Sequence, residues 1–217
     1  MRNENIFEIK AILVGSSGVG KTNLINVSVG KEFNEELKPT ICCSLLQKNI
    51  IINNSKYCIN LWDTMGQEAY KGISKLFFRE SQIVIFVYDI TSHESFKNLE
   101  EWIKMANDVI NGDYISGIVG NKNDLYLQSQ VPEEEAQKYA KEKNMLFKLV
   151  SAKNDPQGFE DFLIELVKNI KFPEYHIKTV LNNKTEKITI ITKITIIPKE
   201  INIIATFLFF LYNQFIF

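Results

Sequence analysis

Gly15 to Thr22, "GSSGVGKT", follow the pattern G-x-x-x-x-G-K-[ST]. The pattern is short enough to arise by chance, so its flanks decide its meaning. A strand-like run, "IKAILVG" (9–15), leads into it and a helical pattern, "NLINVSV", leaves it, which is the setting of a phosphate-binding loop. Gly18 and Gly20 let the backbone turn so that N–H groups converge on phosphate oxygens. Lys21 adds a point charge at the β- and γ-phosphates, Thr22 offers a hydroxyl to Mg²⁺, and the helix N-terminus favours the anion further. Gly15, Ser17, Gly18, Val19, Gly20, Lys21 and Thr22 are therefore the candidate cradle of a nucleoside triphosphate. This motif does not choose the base.

A second polar group does. "NKND", Asn121 to Asp124, closes the strand-like run 117–122. Ligands of open α/β sheets bind at that carboxyl edge. A carboxylate such as Asp124 accepts from both guanine N1–H and the exocyclic N2–H, and adenine offers neither donor there. Two charge-assisted hydrogen bonds of about 1.5–3 kcal/mol each give discrimination on the order of 10² to 10⁴. Lys122 can lay its alkyl stem along the base. "SAK" (Ser151, Ala152, Lys153) closes the next run and offers a backbone N–H to guanine O6. Alone, Asn-Lys-Asn-Asp reads as a polar loop; with the phosphate loop and "SAK" it reads as a guanine site.

The elements that must hold these groups follow from periodicity. Apolar runs at 9–15, 58–64, 83–90, 117–122 and 145–152 read as strands. Between them, residues 93–110 put Phe96, Leu99, Trp102, Ile103, Ala106 and Ile110 on one helical face. Pro132 followed by three glutamates reads as a helix start. Residues 159–170 place Phe159, Phe162, Leu163, Leu166, Val167 and Ile170 on one stripe. Alternating strands and helices imply βαβ units and a parallel sheet with helices on both faces. "NNS" between two strand-like runs reads as a hairpin, hence one antiparallel edge strand.

From about Phe7 to Ile170 the chain resembles the small GTPases of the Ras superfamily, most closely the Rab group. The resemblance rests on "GSSGVGKT", "KPTI", "LWDTMGQEAY", "FVYDITSHESF", "GNKND" and "SAK" in that order. It implies a P-loop NTPase G domain over 1–172, with a mostly parallel six-stranded sheet, one antiparallel edge strand and helices on both faces. It implies GTP and GDP as ligands with Mg²⁺, and a slow GTPase switch serving vesicle traffic. Thr40 would complete the Mg²⁺ shell beside Thr22, and Asp63 would hold the ion through a water. Gly66 would donate its N–H to the γ-phosphate, Gln67 would orient the attacking water, and Phe33 would pack across the guanine. Implied partners are an exchange factor, a GTPase-activating protein that supplies an arginine, and effectors of the GTP state, all acting on a monomer.

Two departures stand out. Ser44 replaces the acidic residue that Rab proteins usually carry, and Met65 replaces the family's alanine beside the metal, where it is expected to weaken nucleotide retention or slow hydrolysis. The chain has two arginines: Arg2 precedes the domain and Arg79 lies beyond the second switch. No arginine finger is expected in cis, so intrinsic hydrolysis should run at about 10⁻⁴ s⁻¹ and rise roughly 10³–10⁵-fold with a partner's arginine. Two other functions compete: a GTP-binding scaffold with little hydrolysis, and a P-loop nucleotide kinase or ATPase, for which "NKND" has no use.

Composition sets the outer limits. The chain has 217 residues, 45% hydrophobic and 24% charged, with net charge −1, and gives no sign of nucleic-acid binding. Three cysteines (Cys42, Cys43, Cys58) suit a reducing interior and read as small apolar fillers. His93 reads as a surface residue near a helix start, and "KEK" (141–143) as a solvated helix face. The amino terminus has neither a signal-peptide shape nor Gly at position 2, and no cysteine follows Cys58 to take a prenyl group. A cytoplasmic protein is expected, membrane-associated if its tail (173–217) binds lipid. That tail ends in the uncharged "INIIATFLFFLYNQFIF", about 26 Å as a helix against a bilayer core of about 30 Å. An anchor and an unstructured read-through extension are both open readings of it.

Overall fold

The computed structural model describes residues 6–37, 40, 43–64 and 77–170. Contacts divide the chain between Ile170 and Lys171, and the description concerns the first unit.

Six strands form one sheet: β1 (Ile6–Val14), β2 (Ser44–Ile52), β3 (Ser55–Asp63), β4 (Ile83–Asp89), β5 (Ile115–Asn121) and β6 (Leu146–Leu149). Their order is β2-β3-β1-β4-β5-β6, with every pair parallel except β2–β3. The antiparallel edge arises at Asn53 and Asn54, whose φ values of 49° and 62° form a two-residue turn between paired Ile52 and Ser55. Asparagine tolerates this left-handed geometry, and the turn's twist suits a hairpin. The expected "NNS" turn is therefore the two asparagines, with Ser55 opening β3.

β4 is buried at all seven positions, as a central parallel strand must be. On one face, Ile12, Val14, Val84, Phe86, Tyr88 and Ile118 pack under α2 (His93–Lys97), α3 (Leu99–Val109) and α4 (Glu133–Glu142). The other face carries α1 (Lys21–Ser28) and α5 (Pro156–Lys168), which touch each other. α5 buries Phe159, Phe162, Leu163, Leu166 and Val167, the expected stripe. Asp155 caps it by accepting from the Gly158 N–H at 2.9 Å. Pro132 precedes α4, whose first turn holds Glu133, Glu134 and Glu135.

Three expectations change. Residues 93–110 form two helices that meet at Asn98, where the Glu101 N–H returns to the Asn98 carbonyl (3.2 Å) as a tight i→i+3 bond. Ile110 lies beyond the end of α3 and is only half-buried. The run 145–152 is a strand only over Leu146–Leu149, because the Val150 carbonyl turns to accept from the Asn123 N–H at 3.0 Å. Nor is "KEK" wholly a solvated face. Lys143 follows α4 and pairs with both carboxylate oxygens of Glu100 at 2.8 Å. Among the described residues, no helix is long and apolar enough to cross a membrane.

Candidate functional site

The loops after β1, β5 and β6 meet at the sheet's carboxyl edge around a cleft of about 310 Å³. Its lining includes Ser17, Gly18, Gly20, Lys21, Thr22, Phe33, Thr40, Asn121, Lys122, Asp124, Ala152 and Lys153. This is a small-molecule cavity by size and position.

The phosphate loop is shaped by close approaches. A Cβ at Gly15 would lie 2.1 Å from the Val87 carbonyl oxygen, and one at Gly20 would lie 2.3 Å from Asn121 Nδ2. Gly20 also has φ 95°, in the left-handed region at the start of α1. Lys21 Nζ donates to the Gly15 and Ser16 carbonyls at 2.8 and 2.9 Å, which holds its charge at the loop. Asn98 Nδ2 donates to Ser16 Oγ at 3.2 Å, so the step between α2 and α3 braces the same loop.

Three oxygens converge beside it. Thr22 Oγ1 donates to Asp63 Oδ2 at 2.8 Å and lies 2.8 Å from Thr40 Oγ1, and Thr40 Oγ1 donates to Asp63 Oδ2 at 3.4 Å. Burial raises the Asp63 pKa, opposed by the Thr22 hydrogen bond, the Lys21 charge and the Thr40 hydrogen bond. Asp63 Oδ1 is buried with no hydrogen-bond partner among the described residues. An orphaned carboxylate oxygen next to two hydroxyls is an all-oxygen donor set that suits a hard cation such as Mg²⁺. Among the described residues there is no cluster of three His, Cys, Asp or Glu, so such a cation would lean on hydroxyls and on the ligand's own phosphates.

The base end is built on Asn121. Its Nδ2 donates to the Val19 carbonyl at 2.8 Å, and its Oδ1 accepts from the Ala152 N–H at 3.2 Å. One side chain thus joins the phosphate loop to "SAK". Ser151 Oγ donates to Asp124 Oδ1 at 2.5 Å and accepts from the Asn154 N–H at 2.9 Å. Asp124 keeps its other oxygen for a ligand edge with two N–H donors. Lys153 Nζ lies 6.0 Å from the Phe33 ring centroid and 3.5 Å from Glu35 Oε2. Lys122 Nζ pairs with Asp89 Oδ2 at 2.6 Å.

The structure therefore brings together Gly15, Ser17, Gly18, Val19, Gly20, Lys21, Thr22, Phe33, Thr40, Asp63, Asn121, Lys122, Asp124, Ser151, Ala152 and Lys153. Gly66, Gln67 and Met65 lie outside the described residues, as do Cys42, His176 and the tail. Arg79 is exposed beside Lys10, whose Nζ donates to its carbonyl at 2.7 Å. That places Arg79 just ahead of the start of β4, away from the carboxyl edge. Cys43 is half-buried, and burial with the Asp63 charge pushes its thiol up to about 11, which suits a filler.

Sequence reasoning gave no task to Asp89, Asn98 or Glu35. Asp89 had a signal: it ends β4 in register with Asn121, at the same sheet edge.

The family model described as "Ras family" matches residues 10–172. The GTP-binding protein ypt3 of Schizosaccharomyces pombe is 36% identical over 167 residues, 76% of this chain and 78% of that protein. Ras-related protein Rab-11C of Dictyostelium discoideum is 36% identical over 160 residues, covering 72% of this chain and 71% of its own. Ras-related protein rab-11.1 of Caenorhabditis elegans is 34% identical over 171 residues, 77% and 81% of the two chains.

Proposed function

Since the chain belongs to the Ras family, within its Rab group, we propose that it is a switch of vesicle traffic that binds GTP and hydrolyses it to GDP. The observation that carries the reading is the single cleft in which a phosphate loop, a hydroxyl–carboxylate trio and a guanine-suited carboxylate converge.

The roles follow from charge and geometry. The loop's N–H groups and Lys21 take the β- and γ-phosphates. Thr22 and Thr40, whose hydroxyls donate hydrogen bonds to Asp63, would hold Mg²⁺ together with that carboxylate. When bound, Mg²⁺ would supply positive charge that offsets the charge of the phosphates. Asp124, held by Ser151, reads the guanine N–H pair, and the Ala152 loop faces O6. Phe33 and Lys122 flank the base. Gly66 senses the γ-phosphate and Gln67 orients the attacking water. Contacts of Thr40 and Gly66 with the γ-phosphate would order the switch, so loss of that phosphate would release both and the partners they hold.

The G domain spans 1–172 and the tail 173–217. The partners are an exchange factor, an arginine-supplying activator and effectors of the GTP state, met by a monomer in the cytoplasm. Two readings of the tail's apolar end stand, a membrane anchor and an unstructured read-through extension. The scaffold alternative is not favoured, because Thr40 keeps the hydroxyl that a hydrolytic switch needs.

The test is the nucleotide that leaves with the purified full-length chain. Guanine nucleotide released faster on chelation of Mg²⁺ is the expected result. Adenine nucleotide, or none after loading with GDP, overturns it.

A further inference from the structure

Asp89 is a carboxylate at the end of a central strand, only 8% exposed. Both of its oxygens are committed. Oδ1 accepts from the Thr91 N–H at 2.9 Å and from Thr91 Oγ1 at 2.7 Å, and Oδ2 meets Lys122 Nζ at 2.6 Å. Ser95 Oγ accepts from the Asp89 N–H at 3.0 Å, so the backbone beneath the carboxylate is fixed as well. Across the sheet, Asp89 pairs in register with Asn121, the residue before Lys122. A buried carboxylate with this many anchors has one well-defined position, and the ammonium it holds inherits that position.

Lys122 is less constrained by itself. Its side chain is 35% exposed, which leaves room to swing into solvent. Its φ of 66° is a left-handed conformation that costs a non-glycine residue energy. A free lysine also carries rotamer entropy that base binding would have to remove. The ion pair removes it beforehand, and pre-ordering of this kind strengthens binding without adding a contact to the ligand.

We propose that Asp89 is a positioning residue of the nucleotide site: through Lys122 it fixes a lysine stem beside the base and so slows nucleotide release. This rests on the guanine-nucleotide reading above. Asp89 touches no ligand in this role, and its neighbour Thr91 shares the work by holding the other carboxylate oxygen.

The experiment measures release of fluorescent GDP from the full-length chain as wild type, Asp89→Asn, Lys122→Gln and the double variant. Asp89→Asn is expected to speed release about tenfold. If Asp89 acts through Lys122, the double variant releases no faster than Lys122→Gln alone. A purely structural defect would multiply the two effects instead. An unchanged rate in Asp89→Asn, or multiplied effects in the double variant, overturns the proposal while leaving the functional reading intact. A wild-type chain that retains no GDP overturns both. Should Asp89→Asn fail to fold, Thr91→Val replaces it in the same cycle, with faster release and non-multiplied effects again expected and their absence decisive against.

Discussion

Asn121 donates to the Val19 carbonyl at 2.8 Å, across 102 positions of sequence. The oxygen of the same amide, Oδ1, accepts from the Ala152 N–H at 3.2 Å. The phosphate half and the base half of the cleft are therefore one hydrogen-bonded body. Asn121→Ala should loosen both halves at once. Two buried bonds at about 1 kcal/mol each predict GDP release faster by roughly 30-fold, with a lower Tm as well. Stopped-flow release and a thermal melt check this; a lower Tm with unchanged release would show that the bonds serve folding alone.

Much of this was readable beforehand because the motifs are local. "GSSGVGKT" and "NKND" each complete a loop within eight residues or fewer, and strands flank them by simple periodicity. What was hidden is the pairing of residues far apart. Asn98 and Ser16 are 82 positions apart, Lys153 and Glu35 118. No pattern within a window joins them. The step at Asn98 was hidden for another reason. Its φ and ψ of −66° and −14° stay in the helical region, so the apolar phase of 93–110 passes through it nearly unbroken.

Tyr88 offers a prediction of the opposite sign. The residue is fully buried, and its Oη has no hydrogen-bond partner among the described residues. Burial, then the charges of Glu133 and Glu135, raise its pKa, so the hydroxyl stays neutral and still lacks a mate. Its ring packs edge-on to Phe96 at 5.0 Å, a contact that phenylalanine would keep. Tyr88→Phe should therefore stabilise the fold by about 1 kcal/mol, seen as a rise in denaturation midpoint at constant slope. A fall in the midpoint would mean the hydroxyl is satisfied in solution.

Glu100 links α3 to the end of α4. Lys143 and then Tyr139, whose Oη donates at 2.5 Å, hold its pKa below the ordinary value. A depressed carboxylate adds stability above its unfolded pKa and loses it as pH falls through the folded one. Its side chain is 60% exposed, so screening limits the effect to roughly 0.5 kcal/mol. Wild type should exceed Glu100→Gln by that margin at pH 7, with the gap closing at acid pH, below about pH 4. High salt should narrow it too. Urea titrations at three pH values test this; a gap that widens toward acid would contradict the sign.

The tail can be tested by removal. "INIIATFLFFLYNQFIF" carries no charge, yet Asn202, Thr206, Asn213 and Gln214 weaken it as a span. An anchor predicts that a chain truncated after Pro173 loses its membrane pattern in cells. Identical distribution of the truncated and full chains would end the anchor reading and favour an extension without a role in targeting.

Among the described residues, no arginine reaches the cleft. Arg79 is the only arginine among the described residues, and it stands at the opening of β4 beside Lys10. The phosphate loop follows the carboxyl end of β1, four residues past Lys10 and on the far side of the sheet's strand direction. Lys21 is the buried cation of the phosphate loop, held by the Gly15 and Ser16 carbonyls. Intrinsic turnover should then be about 10⁻⁴ s⁻¹, and an arginine-bearing activator should raise it roughly 10³-fold or more. Gln67→Leu should abolish that acceleration while leaving GTP affinity near wild type, because a water-orienting amide acts on the reaction and not on binding. Single-turnover assays with and without activator measure the two rates, and a GTP titration measures the affinity. Seconds-scale hydrolysis by the isolated chain would require a second cationic group at the phosphates beside Lys21 and would refute this account.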